Sequence, residues 1–172
     1  MKYTKTLILV LLITKLACFS YAQLNNFPLD TTVRTSGNFN LINLSNQKIN
    51  SDDIKGRVVI LYFWSLKYKL SIEGILELNK LASKYDDKVF ILGISSDLND
   101  QLKVFRSKNN ISFNLCPTPK SQYKDLVLDF NRFPAIPICF IINRNWEIVY
   151  RFVGKLEDNS LVTFEQILKK QL

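Results

Sequence analysis

Seven consecutive apolar residues, Val58–Trp64, place a strand in the interior of this 172-residue protein. A half-exposed strand alternates apolar and polar side chains, whereas this run is apolar on both faces. Such a run is typical of a strand in the middle of a sheet whose two faces are covered. A second run, Val89–Ser95, has the same character and predicts another buried strand.

Apolar residues elsewhere recur at helical spacing, and Ser71–Tyr85 is predicted to be an amphipathic helix. The other predicted elements are a strand over Phe39–Leu44, a turn over Ser45–Lys48, a helix through Leu98, Leu102 and Phe105 with cap candidates Asp97 and Asn99, a strand over Ile111–Cys116, a helix over Tyr123–Phe130, strands over Ile138–Asn143 and Glu147–Val153, and a helix through Leu161, Phe164, Ile167 and Leu168. This order predicts an α/β fold with a central mixed sheet and helices on both faces.

Residues 1–22 have the three parts of a secretory signal peptide. Lys2 and Lys5 precede the apolar run Leu7–Ile13. Small residues at positions −3 and −1, Ser20 and Ala22, predict cleavage after Ala22, with Gln23 as the mature start. The run is too short to span a membrane, so no stable span is expected after cleavage. We therefore expect export to the periplasm or beyond, then an irregular leader over residues 23–38 and a single domain over residues 39–172.

A lipoprotein acylated on Cys18 is the alternative, because Ala17-Cys18 resembles the end of a lipobox. Lys15 stands where that motif has an aliphatic residue, and this favours simple cleavage. Removing residues 1–22 leaves 20 basic and 15 acidic residues, a net charge of +5. No dense basic block is present, so nucleic-acid binding is not expected.

The sequence contains no histidine, which excludes histidine-dependent catalysis and histidine metal sites. Three cysteines and one methionine are too few soft ligands for a four-thiolate metal site. We expect no metal and no cofactor.

Several fragments resemble the TlpA-type, redoxin-related thiol–disulfide oxidoreductases of the periplasm, which have a thioredoxin-like fold. The resemblance extends from Phe39 to the C-terminus. Its fragments are Phe39-x-Leu41, Ser51–Val59, Phe63-Trp64-Ser65, Glu77–Leu81, Ala135-Ile136-Pro137 before Phe140-Ile141-Ile142, and Ile148–Arg151 before Gly154. Their order and spacing predict a thioredoxin-like fold.

The resemblance implies a Cys-x-x-Cys motif after Phe63-Trp64, at positions 68 and 71 of this chain, but the residues there are Tyr68-Lys69-Leu70-Ser71. The positions of two carboxylates that tune the family's dithiol correspond to Tyr62 and Gly74. We therefore predict that dithiol exchange is lost, and with it any peroxidase chemistry that needs a cysteine in this turn.

The resemblance also implies that Ile136-Pro137 is cis, faces this turn and pairs its backbone with an extended peptide. The alternative is that Pro137 only shapes a corner of the sheet. The expected groove contains Trp64, Lys67, Tyr68, Lys69, Ile136 and Pro137. Lys67 and Lys69, beside a helix expected to start at Ser71, either form an anion site or belong to an exposed loop.

Cys116 and Cys139 are the remaining thiols of the mature chain, and the family topology places their strands too far apart for a disulfide. We interpret both as buried apolar residues. The sequence thus predicts a non-catalytic polypeptide-binding or accessory module, whose partner is an extended polypeptide or another protein. The alternative is residual thiol–disulfide oxidoreductase or antioxidant activity through Cys139 or Cys116.

Overall fold

The structure, a computed structural model, describes residues 37–131, 135–156 and 158–172. The strands are β1 (Asn40–Ile42), β2 (Lys48–Asn50), β3 (Val58–Trp64), β4 (Val89–Ser95), β5 (Asn114–Pro117), β6 (Ile138–Ile142) and β7 (Ile148–Val153). The α-helices are α1 (Lys69–Tyr85), α2 (Asn99–Asn109), α3 (Lys120–Phe130) and α4 (Asp158–Gln171). β1 and β2 form an antiparallel hairpin, and the other five strands form a sheet in the order β5-β4-β3-β6-β7.

β3 is the central strand of this sheet. It pairs in parallel with β4 and antiparallel with β6, and all of its residues are buried. Its side chains enter two apolar clusters alternately, so that Ile60 and Tyr62 lie in one cluster while Leu61 and Phe63 lie in the other. The apolar run therefore forms the covered middle strand that the sequence predicts.

Helices cover both faces of the sheet. α1, α2 and α4 contribute Leu78, Leu102 and Phe164 to the cluster that contains Tyr62. α3 contributes Phe130 to the cluster that contains Phe63, together with residues of the β1–β2 hairpin. The predicted α/β architecture with a mixed sheet is confirmed.

Two predicted strands are shorter than expected. β1 ends at Ile42 because the side-chain oxygen of Asn43 accepts hydrogen bonds from the N–H groups of Ser45 and Gln47, at 2.9 Å each, and turns the chain. β5 starts at Asn114 and not at Ile111 because the end of α2 still holds Ile111, whose N–H donates to the carbonyl of Arg106 at 3.1 Å.

α1 starts two residues before the predicted Ser71. Lys69 and Leu70 form its first turn but are exposed, so they add nothing to the apolar spacing from which the helix was predicted. Lys69 is thus the first residue of the helix and not a loop residue before it.

The predicted signal peptide, residues 1–22, and residues 23–36 of the predicted leader lie outside the described residues. Cleavage after Ala22 and the boundary at residue 39 stay predictions. Within the described part of the chain, no helix is long and apolar enough to cross a membrane.

Candidate functional site

The ends of β3 and β4 and the start of β6 meet at one edge of the sheet, here named the site edge. Phe63 pairs with Ile94 of β4 and with Ile138 of β6. The loop after Trp64, the start of α1 and the residues before Ile138 therefore all lie at the site edge. This placement brings the two halves of the predicted groove to one end of the protein.

Asp97, which follows β4, fixes the loop that follows β3. One carboxylate oxygen accepts a hydrogen bond from the backbone N–H of Leu66 at 2.6 Å and another from the hydroxyl of Ser95 at 2.8 Å. The other oxygen accepts from the hydroxyl of Ser65 at 3.1 Å. That hydroxyl in turn accepts from the N–H of Lys67 at 3.2 Å. A single half-buried carboxylate thereby holds the chain just before α1.

The sequence interpretation of Asp97 and Asn99 as caps of α2 is wrong. Leu98 occupies the N-cap position with extended backbone, and no side chain caps the helix there. Asn99 is the first helical residue. The carboxylate of Asp97 bonds to the loop after β3 and not to the helix. One of its partners in that loop, Leu66, precedes it by 31 residues.

Tyr68 is the residue at which the loop becomes helix. Its backbone is extended (φ −115°, ψ 121°), and its carbonyl accepts hydrogen bonds from the N–H groups of Ser71 and Ile72. The side chain is 51% exposed, and that of Leu70 is 50% exposed. Ser71 is fully buried, and its hydroxyl has no hydrogen-bond partner. Position 68 therefore presents an aromatic ring at the surface, while position 71 faces the interior.

The Ile136–Pro137 peptide bond is cis, as predicted. The carbonyl of Pro137 accepts a hydrogen bond from the N–H of Gly154 at 2.9 Å. Neither backbone group of Ile136 has a hydrogen-bond partner among residues 37–131, 135–156 and 158–172. This unpaired backbone lies at the site edge. Direct packing of Pro137 against Tyr68 stays a prediction.

Trp64 does not line a groove, which corrects the sequence prediction. It is fully buried, and its ring packs against Phe105 of α2 with the centroids 5.2 Å apart. Trp64 lies on the same face of β3 as Tyr62. Its side chain therefore enters the apolar cluster that α1, α2 and α4 cover. Pro137 is buried too, and Ile136 is half-buried. The surface part of the expected groove consists of Lys67, Tyr68, Lys69 and Ile136.

Lys69 has a partner within its own helix. Its ammonium group lies 3.7 Å from the carboxylate of Glu73, which also pairs with Lys155 at 3.2 Å. The side chain of Lys69 is nevertheless 88% exposed. Screening by water leaves such a pair little net stability, so Lys69 can exchange partners easily.

Tyr62 and Gly74 occupy adjoining space under the first turns of α1. The Tyr62 hydroxyl donates to the backbone carbonyl of Ser71 at 3.2 Å. Burial raises the pKa of Tyr62 above its ordinary value, with smaller contributions from Cys139 and Tyr123. The phenol therefore stays protonated at physiological pH and supplies a donor, not a negative charge.

Cys116 and Cys139 are buried free thiols. They lie on β5 and β6, three strands apart, and enter opposite clusters. Burial raises the pKa of Cys116 to about 12 and also raises the pKa of Cys139. The expectation of two buried thiols without a mutual disulfide is confirmed in this structure.

Sequence reasoning missed two residues at this edge, Asp97 as the anchor of the loop and Leu70 as exposed apolar surface. A signal for Asp97 was present. Polar residues follow both parallel strands, Ser65 after β3 and Ser95 to Asp97 at the end of β4. The carboxyl ends of parallel strands share an edge, so these side chains could have been expected to meet.

The sequence matches the AhpC/TSA family over residues 34–151. It is 27% identical over 135 residues to the thiol-disulfide oxidoreductase ResA of Bacillus thuringiensis subsp. konkukian, covering 77% of this chain and 74% of that protein.

Two solved structures are similar in fold. A thiol:disulfide interchange protein of the thioredoxin family from Chlorobium tepidum TLS has a TM-score of 0.69 at 17% identity, with 83% of this chain and 98% of that chain covered. A thiol-disulfide oxidoreductase from Bacteroides fragilis NCTC 9343 has a TM-score of 0.66 at 18% identity, with coverage of 78% and 99%. The fold is thus the thioredoxin fold. The chain belongs to the AhpC/TSA family, among relatives that are thioredoxin-fold thiol–disulfide oxidoreductases, as its sequence predicted.

Proposed function

We propose that this protein is an exported member of its family that binds an extended polypeptide and does not carry out dithiol exchange. The observation that carries the proposal is the composition of the turn at the start of α1. Tyr68 and Ser71 occupy the positions where the family resemblance implies cysteines, and neither has a sulfur atom. The chain's other thiols lie elsewhere in the fold.

Dithiol exchange needs an accessible thiolate and a second thiol that resolves the mixed disulfide. Cys116 and Cys139 are 0% exposed, and burial favours the unreactive thiol form of both. They cannot resolve one another because two strands, β4 and β3, lie between the strands that carry them. These facts support loss of the chemistry in the native state.

The surface that remains suits a polypeptide. Tyr68 and Leu70 offer apolar area that is half exposed, and aromatic side chains are common anchors of protein interfaces. Ile136 offers an unpaired backbone at the same edge, to which an extended segment could add hydrogen bonds. Lys67 and Lys69 would favour acidic residues in that segment.

The competing function is residual thiol–disulfide oxidoreductase or antioxidant activity through Cys139 or Cys116, which the names of the relatives favour. Reduction of insulin by dithiothreitol separates the two functions. We expect the wild type and a Cys116→Ala/Cys139→Ala variant to give the same rate as buffer alone. Turnover by the wild type above that of the variant contradicts the proposal.

Binding is tested with labelled extended peptides, one acidic and one basic, measured by fluorescence anisotropy. Tyr68→Ala should weaken binding of the acidic peptide about tenfold, as expected for the loss of an aromatic anchor. Lys67→Ala/Lys69→Ala should reduce the preference for the acidic over the basic peptide. Val162→Ala, at an exposed position of α4, is the matched control. Unchanged binding by both site variants rules out this surface.

Export is part of the proposal and rests on the pattern of residues 1–22. Intact-mass analysis of the protein recovered from outside the cytoplasm should give a chain that begins at Gln23. A lipid-modified N-terminal Cys18 would establish the lipoprotein alternative, and a full-length protein retained in the cytoplasm would contradict export.

A further inference from the structure

An open pocket of roughly 570 Å³ lies beside Tyr68, between the loop after β3 and the start of α2. Its lining residues come from both elements and are Leu66, Lys67, Asp97, Asp100, Gln101 and Val104. Lys67 directly precedes Tyr68, so the pocket adjoins the polypeptide-binding surface proposed above. None of the sequence expectations assigned a residue on its α2 side to a binding surface.

The pocket has an apolar part on α2 that the fold leaves uncovered. Val104 is 68% exposed, although its neighbour Leu102 is fully buried. Asp100 and Gln101 precede Val104 by four and three residues, so these three residues share one face of α2. Leu98, at the N-cap of α2, is 70% exposed and extends the apolar surface next to the pocket.

The charges around the pocket differ between its two sides. Asp97 and Asp100 lie on the α2 side, and Lys67 lies on the loop side. The carboxylate of Asp97 accepts hydrogen bonds from the β3 loop, and the side chain of Asp100 is 95% exposed. Lys103 lies 3.7 Å from Asp100 but is itself more than half exposed, so water screens this pair.

We propose that this pocket receives a bulky apolar side chain of the bound polypeptide, and that a lysine or arginine next to that side chain lies against Asp100 and Asp97. The inference deepens the proposed function and rests on it. The pocket's volume exceeds that of a single aromatic side chain, and its open mouth suits an anchor that arrives on an extended backbone.

Charge complementarity selects this partner over other polypeptides. The α2 side would repel an acidic residue and attract a basic one, whereas Lys67 and Lys69 on the opposite side favour an acidic residue. The bound segment therefore has a polarity, with an acidic residue toward α1, the apolar anchor in the pocket and a basic residue toward α2.

The test uses three labelled peptides in a Gly-Ser background that already contains one acidic residue. The first carries a central Phe-Arg pair, the second Ser-Arg and the third Phe-Glu. Binding of each to the full mature chain is measured by anisotropy at low and at physiological salt. We expect the Phe-Arg peptide to bind about tenfold more tightly than either control peptide.

Two substitutions at exposed positions assign the preference to the pocket. Val104→Ser should weaken binding of the Phe-Arg peptide about threefold while leaving the Ser-Arg peptide unchanged. Asp100→Lys should remove the preference for Phe-Arg over Phe-Glu, with a larger effect at low salt. Val162→Ser, at an exposed position of α4, controls for the loss of a surface valine.

Equal binding of the Phe-Arg and Ser-Arg peptides overturns the pocket proposal. So does a Phe-Arg preference that survives in both Val104→Ser and Asp100→Lys. If Tyr68→Ala abolishes binding in either case, the proposed function stands and only the pocket assignment falls. If Tyr68→Ala leaves binding unchanged while Val104→Ser weakens it, the pocket stands and the surface at Tyr68 falls.

Discussion

The hydroxyl group of Tyr62 fills the space that a side chain on Gly74 would occupy. A Cβ atom added to Gly74 would overlap this hydroxyl and would lie 2.8 Å from the ring carbon Cζ. The two positions that correspond to the family's tuning carboxylates are therefore physically linked. With tyrosine at position 62 of β3, position 74 of α1 has room only for glycine.

Replacement of Gly74 by alanine tests this link. An alanine in an exposed helix interior stabilises by about 1 kcal/mol relative to glycine, but here the methyl group meets a buried ring. We expect Gly74→Ala to lower the free energy of unfolding by about 1–3 kcal/mol in urea denaturation.

A double-mutant cycle with Tyr62→Leu identifies the cause. The leucine removes the hydroxyl and the ring, so the cost of Gly74→Ala should fall by at least about 1 kcal/mol in the Tyr62→Leu background. Additive effects of the two substitutions would show that Tyr62 is not what excludes a side chain at position 74.

The core of the fold could be predicted from the pattern within single segments, whereas contacts between distant segments could not be read from either segment alone. Val58–Trp64 is apolar on both faces, and such a pattern specifies a central strand whatever surrounds it. The bond from Asp97 to Leu66 joins residues 31 positions apart, and only the shared edge of the two parallel strands indicates it, not the pattern of either segment alone. Trp64 was misplaced because the resemblance gives the position of a residue but not its exposure.

The cis bond at Ile136–Pro137 was expected from resemblance alone, since an isolated Ile-Pro pair carries no such signal. The alternation rule could have corrected Trp64. Residues two apart on a strand share a face, so Trp64 had to follow Tyr62 into the cluster beneath α1.

Thiol titration should find the two cysteines of the mature chain, Cys116 and Cys139, unreactive in the folded state. Both are fully buried. An aromatic disulfide reagent at pH 8 should react with no thiol in buffer and with two thiols per chain in denaturant. Fewer than two thiols after unfolding would mean that a disulfide forms in solution, and rapid reaction in buffer would mean that a thiol becomes exposed.

Alkaline pH should destabilise the protein through Cys116. The pKa of its thiol is about 12 in the folded chain, against an ordinary value of 9.0. Between these values the unfolded chain has released the proton and the folded chain has kept it, so stability falls as pH rises. In the middle of this pH range, one such group lowers the free energy of unfolding by about 1.4 kcal/mol for each pH unit.

Cys116→Ala removes this contribution and serves as the comparison. Its free energy of unfolding should approach that of the wild type as pH rises from about 9 to about 10.5. A constant difference between the two proteins over this range would contradict the raised pKa. Tyr62 and Tyr123 are present in both proteins, so their contributions cancel in the difference between the two free energies of unfolding.

Asp97→Ala should release the loop before α1. The substitution leaves the hydroxyls of Ser65 and Ser95 and the N–H of Leu66 without their acceptor. Because the acceptor is charged and half-buried, we expect a loss of about 2–4 kcal/mol in urea denaturation. Asp100→Ala is the matched control because its carboxylate is exposed, and it should change stability by less than about 0.5 kcal/mol. Equal stability of the two variants would show that Asp97 is not the anchor.

The turn at the start of α1 should accept a dithiol if the scaffold around it has kept its shape. Ser71 is buried and its hydroxyl lacks a partner, so a cysteine there loses no hydrogen bond. Tyr68 is half exposed, and a thiol in its place would lie at a helix N-terminus, which lowers a thiol's pKa. We expect Tyr68→Cys/Ser71→Cys to form an internal disulfide, detected as the loss of two hydrogens by intact mass.

The same double variant should reduce insulin faster than the wild type and faster than Tyr68→Cys alone. The single variant has a nucleophile but no second thiol to resolve the mixed disulfide, so it should stall. Insulin turnover by the wild type that equals that of the double variant would contradict the proposal that dithiol exchange is lost with the two thiols. A double variant whose two thiols stay reduced under air would show that positions 68 and 71 are not held within disulfide distance.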